Sequence, residues 1–452
     1  AGVAAVAGEA ARGGVSEREE DALIDALLDR NEEVMLLARH YAVRPPRFVQ
    51  HALRFLRAGG LTAASPAAPL PWDLVVVGGG LAGLSAALTV LDRGGRVLLL
   101  EKMGHLGGNS AWASSGVNAV DVNNTANGDS VDAFTADTVK GAGRGDNPLI
   151  PVLTGGSVDA LAWLRGRLSE HLNLNLVGQL GGHSFARTHR PSSGLAGSAM
   201  VFAIQKQLDK FLQDGSGRFE LKKWTRASKL LKEGDAVVGV EYKVVTAKDQ
   251  DTPVSTGSVR ARNVLIATGG YASDYTNSSL LKEHRPDLLR YATTNNKGTT
   301  GDGHKLMLTV GAKPLDLDDV QVHPTGFHNP ADPDNKVKTL CAEILRGEGG
   351  ILLDSRGHRF ANELGTRDYV TGRMIQVDSA TLKFALIMNE ATAKKAETHI
   401  GLYTKKGLIR KYETLEELSK WDFWGMFVSL DSLKEALGKY DEEGGRGEDA
   451  FG

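Results

Sequence analysis

The sequence predicts an α/β fold: a parallel sheet carrying a small antiparallel insertion, joined to a second region of mixed α+β type. Three observations carry that prediction. From Asp73 an apolar strand-like run, a glycine-rich turn, a helical run and a second apolar run follow one another in βαβ rhythm. Further on, residues 236–245 and 259–267 read as strands around the polar turn 248–252, as in a β-meander inserted in such a sheet. Beyond about residue 316 the texture changes, and short strands at 350–353 and 384–388 alternate with helices announced by capping residues.

Taken in order, residues 1–15 are rich in Ala and Gly. Ser16 and Glu19 then have capping-box spacing, and Leu23, Ile24, Leu27 and Leu28 form one helical face. Two further helical stretches, 32–41 and 48–57, stop before Pro45 and Pro46 and at Gly59 and Gly60. The proline-containing stretch 65–71 reads as a linker. Residues 1–70 are therefore a helical lead-in without visible chemistry, 71–315 a first domain and 316–452 a second. Within the first, 74–77 is a buried strand, 81–92 a helix, and 96–100 a second strand that ends at Glu101. Within the second, Thr414 with Glu417 and Ser432 with Glu435 have capping-box spacing.

Composition excludes several classes. The 53 Lys and Arg nearly balance 55 Asp and Glu, so no global field steers the chain toward nucleic acid or an anionic membrane. With Cys341 as the single cysteine, these 452 residues hold no internal disulfide, four-cysteine metal site or CxxCH haem attachment, and redox chemistry needs an organic cofactor. A reducing compartment is compatible with one cysteine. The uncharged run 74–91 has the length of a membrane span but contains Gly78, Gly79, Gly80, Gly83, Ser85 and Thr89. A strand, turn and helix explain it, and no span is predicted. Ala1 is not an initiator Met and no signal segment follows, which reads as a processed product or a fragment.

Gly78, Gly80 and Gly83 form GxGxxG between the first strand and the helix. The first glycine allows the tight turn, the second lets a pyrophosphate approach the backbone, and the third lets the helix pack on the strand. The phosphates then rest on the helix N-terminus. Glu101 is placed to accept hydrogen bonds from a ribose diol and to repel a 2′-phosphate, which favours FAD or NAD over NADP. A second polar loop, KMGHLGGNSAWASSG, contains Gly107, Gly108, Asn109 and Ser110; NVLIATGG is a strand running into a turn; TGDG places Asp302 at a helix start, where it could bind ribityl hydroxyls.

From residue 321 to 368 polar groups concentrate. His323 precedes Pro324, which biases its backbone toward extended and directs the ring, so an imidazole could hold one end of a dicarboxylate. Glu343 and Arg346, three apart, would share a helical face and could pair. Arg367 lies in GTRD. Two other clusters read as structural. Trp421, Phe423, Trp424 and Phe427 lack interleaved basic residues and suit a core, and His183, His189 and Arg190 lack a carboxylate or cysteine at metal-ligand spacing and suit a positional loop.

The ordered set EKMGHLGGNS, ATGGY, TGDG, HPTG, RGEGG and TRD resembles the flavoprotein family of fumarate reductases and succinate dehydrogenases, most closely its soluble, NADH-dependent type, from about residue 72 to at least 375. That resemblance implies a Rossmann-like FAD-binding domain with the β-meander, a capping domain, and an active site between them. It implies cofactor contacts from Gly78, Gly80, Gly83, Glu101, Lys102, Gly108, Asn109, Ser110, Ser115, Gly116, Ala227, Gly269 and Asp302. Asn109 occupies the position where the membrane-bound complexes attach flavin through histidine, so non-covalent FAD is implied.

The resemblance also assigns chemistry. His323 binds a substrate carboxylate, Arg367 protonates the substrate, and Glu343 and Arg346 relay protons to it, with Glu343 also at the substrate. The implied reaction reduces fumarate to succinate by hydride transfer from flavin, with Arg367 protonating the other carbon. Electrons come from reduced flavin, NADH or a donor domain outside this chain. Two departures accompany the match: Ala342 precedes Glu343 where the family commonly has Thr, and the second carboxylate-binding His and Arg elements are not found. The resemblance therefore implies a chain that stops inside the cap and has little activity alone. The alternatives are a sibling acting on another unsaturated acid or a ketosteroid, and a catalytically idle flavin-binding subunit with an architectural role.

Overall fold

Six strands make the main sheet of the computed structural model, which describes residues 72–123, 127–143, 147–249, 252–420, 428–446 and 451. The apolar run VVV belongs to β1 (Trp72–Val77), followed by helix α1 (Leu81–Asp92) and β2 (Val97–Leu100). The two strands are parallel, with Leu74 opposite Val97 and Val77 opposite Leu100. Every residue of β2 is buried, as a central parallel strand requires. Helix α1 buries Leu84, Ala87, Leu88 and Leu91, the i, i+3, i+4, i+7 set of one face, against the sheet. Each leucine removed from water there contributes about 1.5–3 kcal/mol.

The chain then leaves the sheet. A short three-stranded antiparallel sheet is ordered β3 (Val117–Asn118), β5 (Thr188–Arg190), β4 (Leu176–Gly178). Helices α2 (Val131–Ala142) and α3 (Leu149–Arg167) intervene between β3 and β4, and α4 (Ala196–Gln213) returns to the main sheet. Ser130 caps α2 by accepting from the Ala133 amide. Then come β6 (Phe219–Lys222), β7 (Thr225–Glu233), β8 (Ala236–Val244) and β9 (Ser255–Ile266), giving the order β6-β2-β1-β9-β8-β7.

Strands β8 and β9 match the predicted pair, and β7 completes a three-stranded meander that the sequence reading did not include. Strand β9 belongs to two structures at once. Its residues 255–260 pair antiparallel with β8, and from Ala261 to Ile266 it runs parallel to β1. The meander is thus continuous with the parallel sheet.

Helix α5 (Asp302–Thr309) begins at TGDG as predicted. Beyond it lie α6 (Ile344–Gly347), β10 (Ile351–Leu353), α7 (Arg367–Val377), β11 (Ala385–Ile387), α8 (Glu397–Lys405), α9 (Leu415–Ser419) and α10 (Leu430–Arg446). Strands β10 and β11 pair antiparallel, and separate apolar clusters form around them. Another cluster joins Leu180, from the first half, to Cys341, Ala342, Ile344, Leu345 and Tyr403. Thr414 caps α9 through the Glu417 amide as its spacing predicts. The Ser432/Glu435 expectation is corrected: Ser429 accepts from the Ser432 amide, so the cap lies three residues earlier and Ser432 sits inside α10.

All described residues fall within one compact unit, Ala64–Gly452. The helices expected within 16–57, and the aromatic cluster from Trp421 to Phe427, lie outside the described residues. Among the described residues no helix is long and apolar enough to cross a membrane.

Candidate functional site

The glycine turn after β1 is built by close approach. Gly78 has φ +108°, and a Cβ there would stand 2.5 Å from the Ala267 carbonyl oxygen at the end of β9. At Gly83 a Cβ would lie 2.0 Å from the Gly78 oxygen, so α1 can seat on the strand only without a side chain. Gly80 differs, because a Cβ there would meet Ser110 Oγ at 3.7 Å and the Gly107 oxygen at 4.0 Å, ordinary contacts without a clash. Leu81 N donates to Ser110 Oγ at 3.1 Å, while Ala82 and Gly83, in the first turn, have no intrahelical acceptor.

A crevice opens here at the carboxyl ends of β1, β2 and β9, the place where open parallel sheets bind ligands. It is lined by Gly78, Gly80, Glu101, Lys102, Gly108, Asn109, Ser110, Ala227, Gly269 and Asp302. Of the other cofactor residues the resemblance implies, Gly83 packs behind the loop, and Ser115 and Gly116 lie away from the crevice lining, with a Cβ at Gly116 meeting Thr188 and the His189 oxygen. The crevice also includes Arg226, Thr268, Asn296, Gly298 and Thr299. Asn296, Gly298 and Thr299 stand in a polar loop without a motif, Arg226 lies on the unpredicted strand β7, and Thr268 lies inside the ATGGY element without having been singled out.

Glu101 is only 7% exposed, and each carboxylate oxygen accepts one backbone N–H: Gly79 to Oε2 and Met103 to Oε1, both at 2.7 Å. The glutamate thus ties the glycine turn to the end of β2 and retains a lone pair on each oxygen for a diol. Opposite, Lys102 Nζ donates to Thr300 Oγ1 at 2.7 Å and Asp302 Oδ2 at 3.0 Å. Burial lowers the Lys102 ammonium pKa although Asp302 works the other way. Burial works against the Asp302 carboxylate, but Lys102 and the Thr300 hydroxyl outweigh it and hold it below the usual range.

The second cluster gathers His323, Glu343, Arg346 and Arg367. Helix α7 begins at Arg367, whose Nε and Nη2 donate to Glu343 Oε2 at 3.1 and 2.9 Å, while Nη1 donates to Gln321 Oε1 at 2.8 Å. Glu343 precedes the four-residue helix α6, and its ion-pair partner is Arg367. The Glu343–Arg346 pairing suggested by their spacing is therefore corrected, since a single short turn does not hold the two side chains together. Arg346 is 2% exposed; Nη1 donates to the Glu363 carbonyl at 2.6 Å, and Nε and Nη2 have no partner among the described residues. A buried guanidinium with two unpartnered nitrogens is suited to an anion.

The His323 imidazole is pushed down to about 4, by burial first and then by Arg367 and Arg346, so it is neutral at pH 7. Its Nδ1 lies 3.0 Å from the Thr325 carbonyl and 3.3 Å from the Thr325 amide. Accepting from that amide leaves Nε2–H to donate, whereas donating Nδ1–H to the nearer carbonyl leaves Nε2 as an acceptor. The wall of this cluster comes from the first half of the chain. A Cβ on Gly181 would reach Glu343 Oε1 at 3.2 Å, and Gly182 N donates to Leu364 O at 3.0 Å.

His183 is held between Asn118 and Arg187, with Arg187 Nη1 3.1 Å from Nδ1, and burial followed by Arg187 lowers its pKa. Arg187 is itself clasped by Asp129 and Asp137. His189 Nε2 lies 3.0 Å from the Ala119 carbonyl. Arg190 pairs with Glu348 at 3.1 Å. Among the described residues no group of three or more His, Cys, Asp or Glu is arranged to hold a metal ion.

A glycine-walled crevice on a parallel βαβ unit, with a buried acid closing the second strand, defines a dinucleotide-binding α/β protein. The FAD binding domain family matches residues 73–443. A fumarate reductase of Schizosaccharomyces pombe is 40% identical over 374 residues, spanning 81% of this chain and 70% of that protein. Fumarate reductase 1 of Saccharomyces cerevisiae is 36% identical, spanning 81% and 77%. A solved flavocytochrome c3 fumarate reductase in an open conformation aligns with TM-score 0.61 and 29% identity over 89% of this chain and 66% of that one. The chain belongs to the family of FAD-binding flavoproteins that includes these fumarate reductases.

Proposed function

We propose that this chain binds FAD without a covalent link and reduces the carbon–carbon double bond of fumarate. One observation carries the reading: the Arg367–Glu343 ion pair, the neutral His323 and the half-paired Arg346 meet in one cluster. The division at 315/316 into a flavin domain and a cap belongs to the same reading.

The crevice suits FAD. Gly80 brings no side chain to the helix start, first-turn amides are available to a pyrophosphate, and Glu101 has lone pairs for a ribose diol. Gly78, Gly80, Glu101, Ser110 and Asp302 would hold it. Bound FAD in its reduced form supplies a hydride equivalent to an alkene. Asn109 carries an amide in place of a linking imidazole.

The residues of the second cluster divide the remaining work. The unpartnered nitrogens of Arg346 hold a carboxylate and favour negative charge developing on the substrate, and His323 adds Nε2–H when its Nδ1 accepts from the Thr325 amide. Arg367 holds the proton destined for the second alkene carbon. A guanidinium releases a proton only when the transfer is coupled to its replacement, and the Glu343 oxygen at 2.9 Å is placed to return one. Reducing equivalents come from reduced flavin or NADH. Because an element matching the family's second carboxylate clamp is not found in these 452 residues, turnover by this chain alone is expected to be slow.

Two measurements test the reading. Acid precipitation of the holoprotein should release all the flavin into the supernatant. Anaerobic assays with a chemical reductant across fumarate, other unsaturated acids and an unsaturated ketosteroid should give succinate formation as the fastest reaction. Faster reduction of another substrate would transfer the assignment to it.

A further inference from the structure

The outer wall of the crevice is a polar segment, residues 295–302, that no periodicity marks. It is tied to the first βαβ unit at two points. Near one end Asn109 Oδ1 accepts from both the backbone N and the side-chain Nδ2 of Asn296, each at 2.9 Å, and Asn109 Nδ2 donates to Asn295 Oδ1. At the other end Lys102 holds Thr300 and Asp302.

The Asn296 side chain continues the connection, because its Oδ1 accepts from the Gly298 amide at 2.8 Å while its carbonyl accepts from the Thr299 amide at 3.1 Å. Asn296, Gly298 and Thr299 all line the crevice. The hydrogen bonds of Asn109 therefore reach three cofactor-facing residues through one relay.

We infer that Asn109 is a positioning residue for FAD, acting through Asn296 to hold residues 295–302 as the outer wall of the crevice. The inference rests on the FAD assignment. It goes further in giving the second polar loop a mechanical role: Asn109 spends its amide on protein contacts, and it governs affinity by shaping the turn at 296–299. Removal of its side chain strands the Asn296 Nδ2 and N–H donors, while the backbone hydrogen bonds of the βαβ unit are untouched.

The test uses the full chain stripped of flavin and titrated with FAD, with flavin fluorescence quenching as the readout and the melting temperature of the flavin-free protein as the folding control. Asn109→Ala should raise the FAD dissociation constant about tenfold, with a flavin-free melting temperature lowered by no more than a few degrees. Asn109→Asp keeps the acceptor for Asn296 and should recover part of the loss. Asn296→Ala combined with Asn109→Ala should be no weaker than the worse single variant by more than about twofold, because both break one relay. Wild-type affinity in Asn109→Ala, or penalties that multiply in the double variant, would overturn the inference alone. A wild-type chain that takes up no FAD would overturn the FAD assignment with it.

Discussion

Arg367 directs two N–H groups, Nε and Nη2, at a single oxygen of Glu343. The third contact of the guanidinium, from Nη1, goes to Gln321. Three nitrogens of the arginine are thereby fixed by two partners, and its geometry depends on a planar fork that lysine cannot supply.

Replacing Arg367 with Gln or Lys should therefore cost at least about a hundredfold in fumarate turnover relative to the unsubstituted chain. FAD affinity should be unchanged, because Arg367 stands outside the glycine-walled crevice. Steady-state succinate formation and flavin titration on the same preparations check both halves. A lysine variant with full turnover would remove Arg367 from the chemistry.

Arg346 presents the opposite balance between stability and use. It is buried, and only Nη1 is bonded. A buried charge with unsatisfied donors is costly, so Arg346→Met, close in length and free of polar atoms, should leave the melting temperature equal or a few degrees higher. Turnover should fall at least about tenfold. Calorimetry with the same assay reads both, and a large loss of stability would show that Arg346 is chiefly structural.

His323 makes the protein sensitive to acid. Its pKa of about 4 in the fold lies below the ordinary value of 6.5, with burial as the leading cause. Between those values the unfolded chain binds the proton and the folded chain does not. The stability that neutral His323 contributes is present above about pH 6.5 and is lost as pH falls toward 4, by up to about 3 kcal/mol. Urea denaturation at pH 7 and pH 4.5 should show a shallower acid loss in His323→Gln than in wild type, and parallel losses would sink the argument.

Two glycines of one turn should behave differently. Gly83→Ala places a methyl 2.0 Å from the Gly78 oxygen and should lower the melting temperature steeply. Gly80→Ala has room, with its nearest neighbour at 3.7 Å, so the fold should survive while the methyl occupies space meant for phosphate. FAD affinity should then fall about tenfold or more, read by titration beside thermal melting.

Much of the first βαβ unit was legible because its signals are local. Apolar runs, a glycine turn and an acid at a strand end sit within about 30 residues, set by burial, by backbone sterics and by hydrogen bonding to the turn respectively. Strand β7 was missed because TRASKLLKE carries four basic and acidic side chains on a meander edge, where solvent tolerates them. The wall at 295–302 was illegible for another reason. Its partners Asn109 and Lys102 lie 187 and 198 residues away in sequence, and no period marks such a contact. His323, Glu343 and Arg367 were found by resemblance, yet the partner of Glu343 could be read only from the fold, because the helix after it stops at four residues.

Strand β9 has a further consequence. Its first half is a rung of the meander and its second half lies beside β1, leading straight into Ala267, Thr268 and Gly269 on the crevice floor. The hairpin cannot be lifted out and transplanted as an independent cassette. A graft that shortens or slips this ribbon by one residue would turn every side chain from Ala261 to Ile266 to the opposite face and carry the misalignment into the cofactor seat.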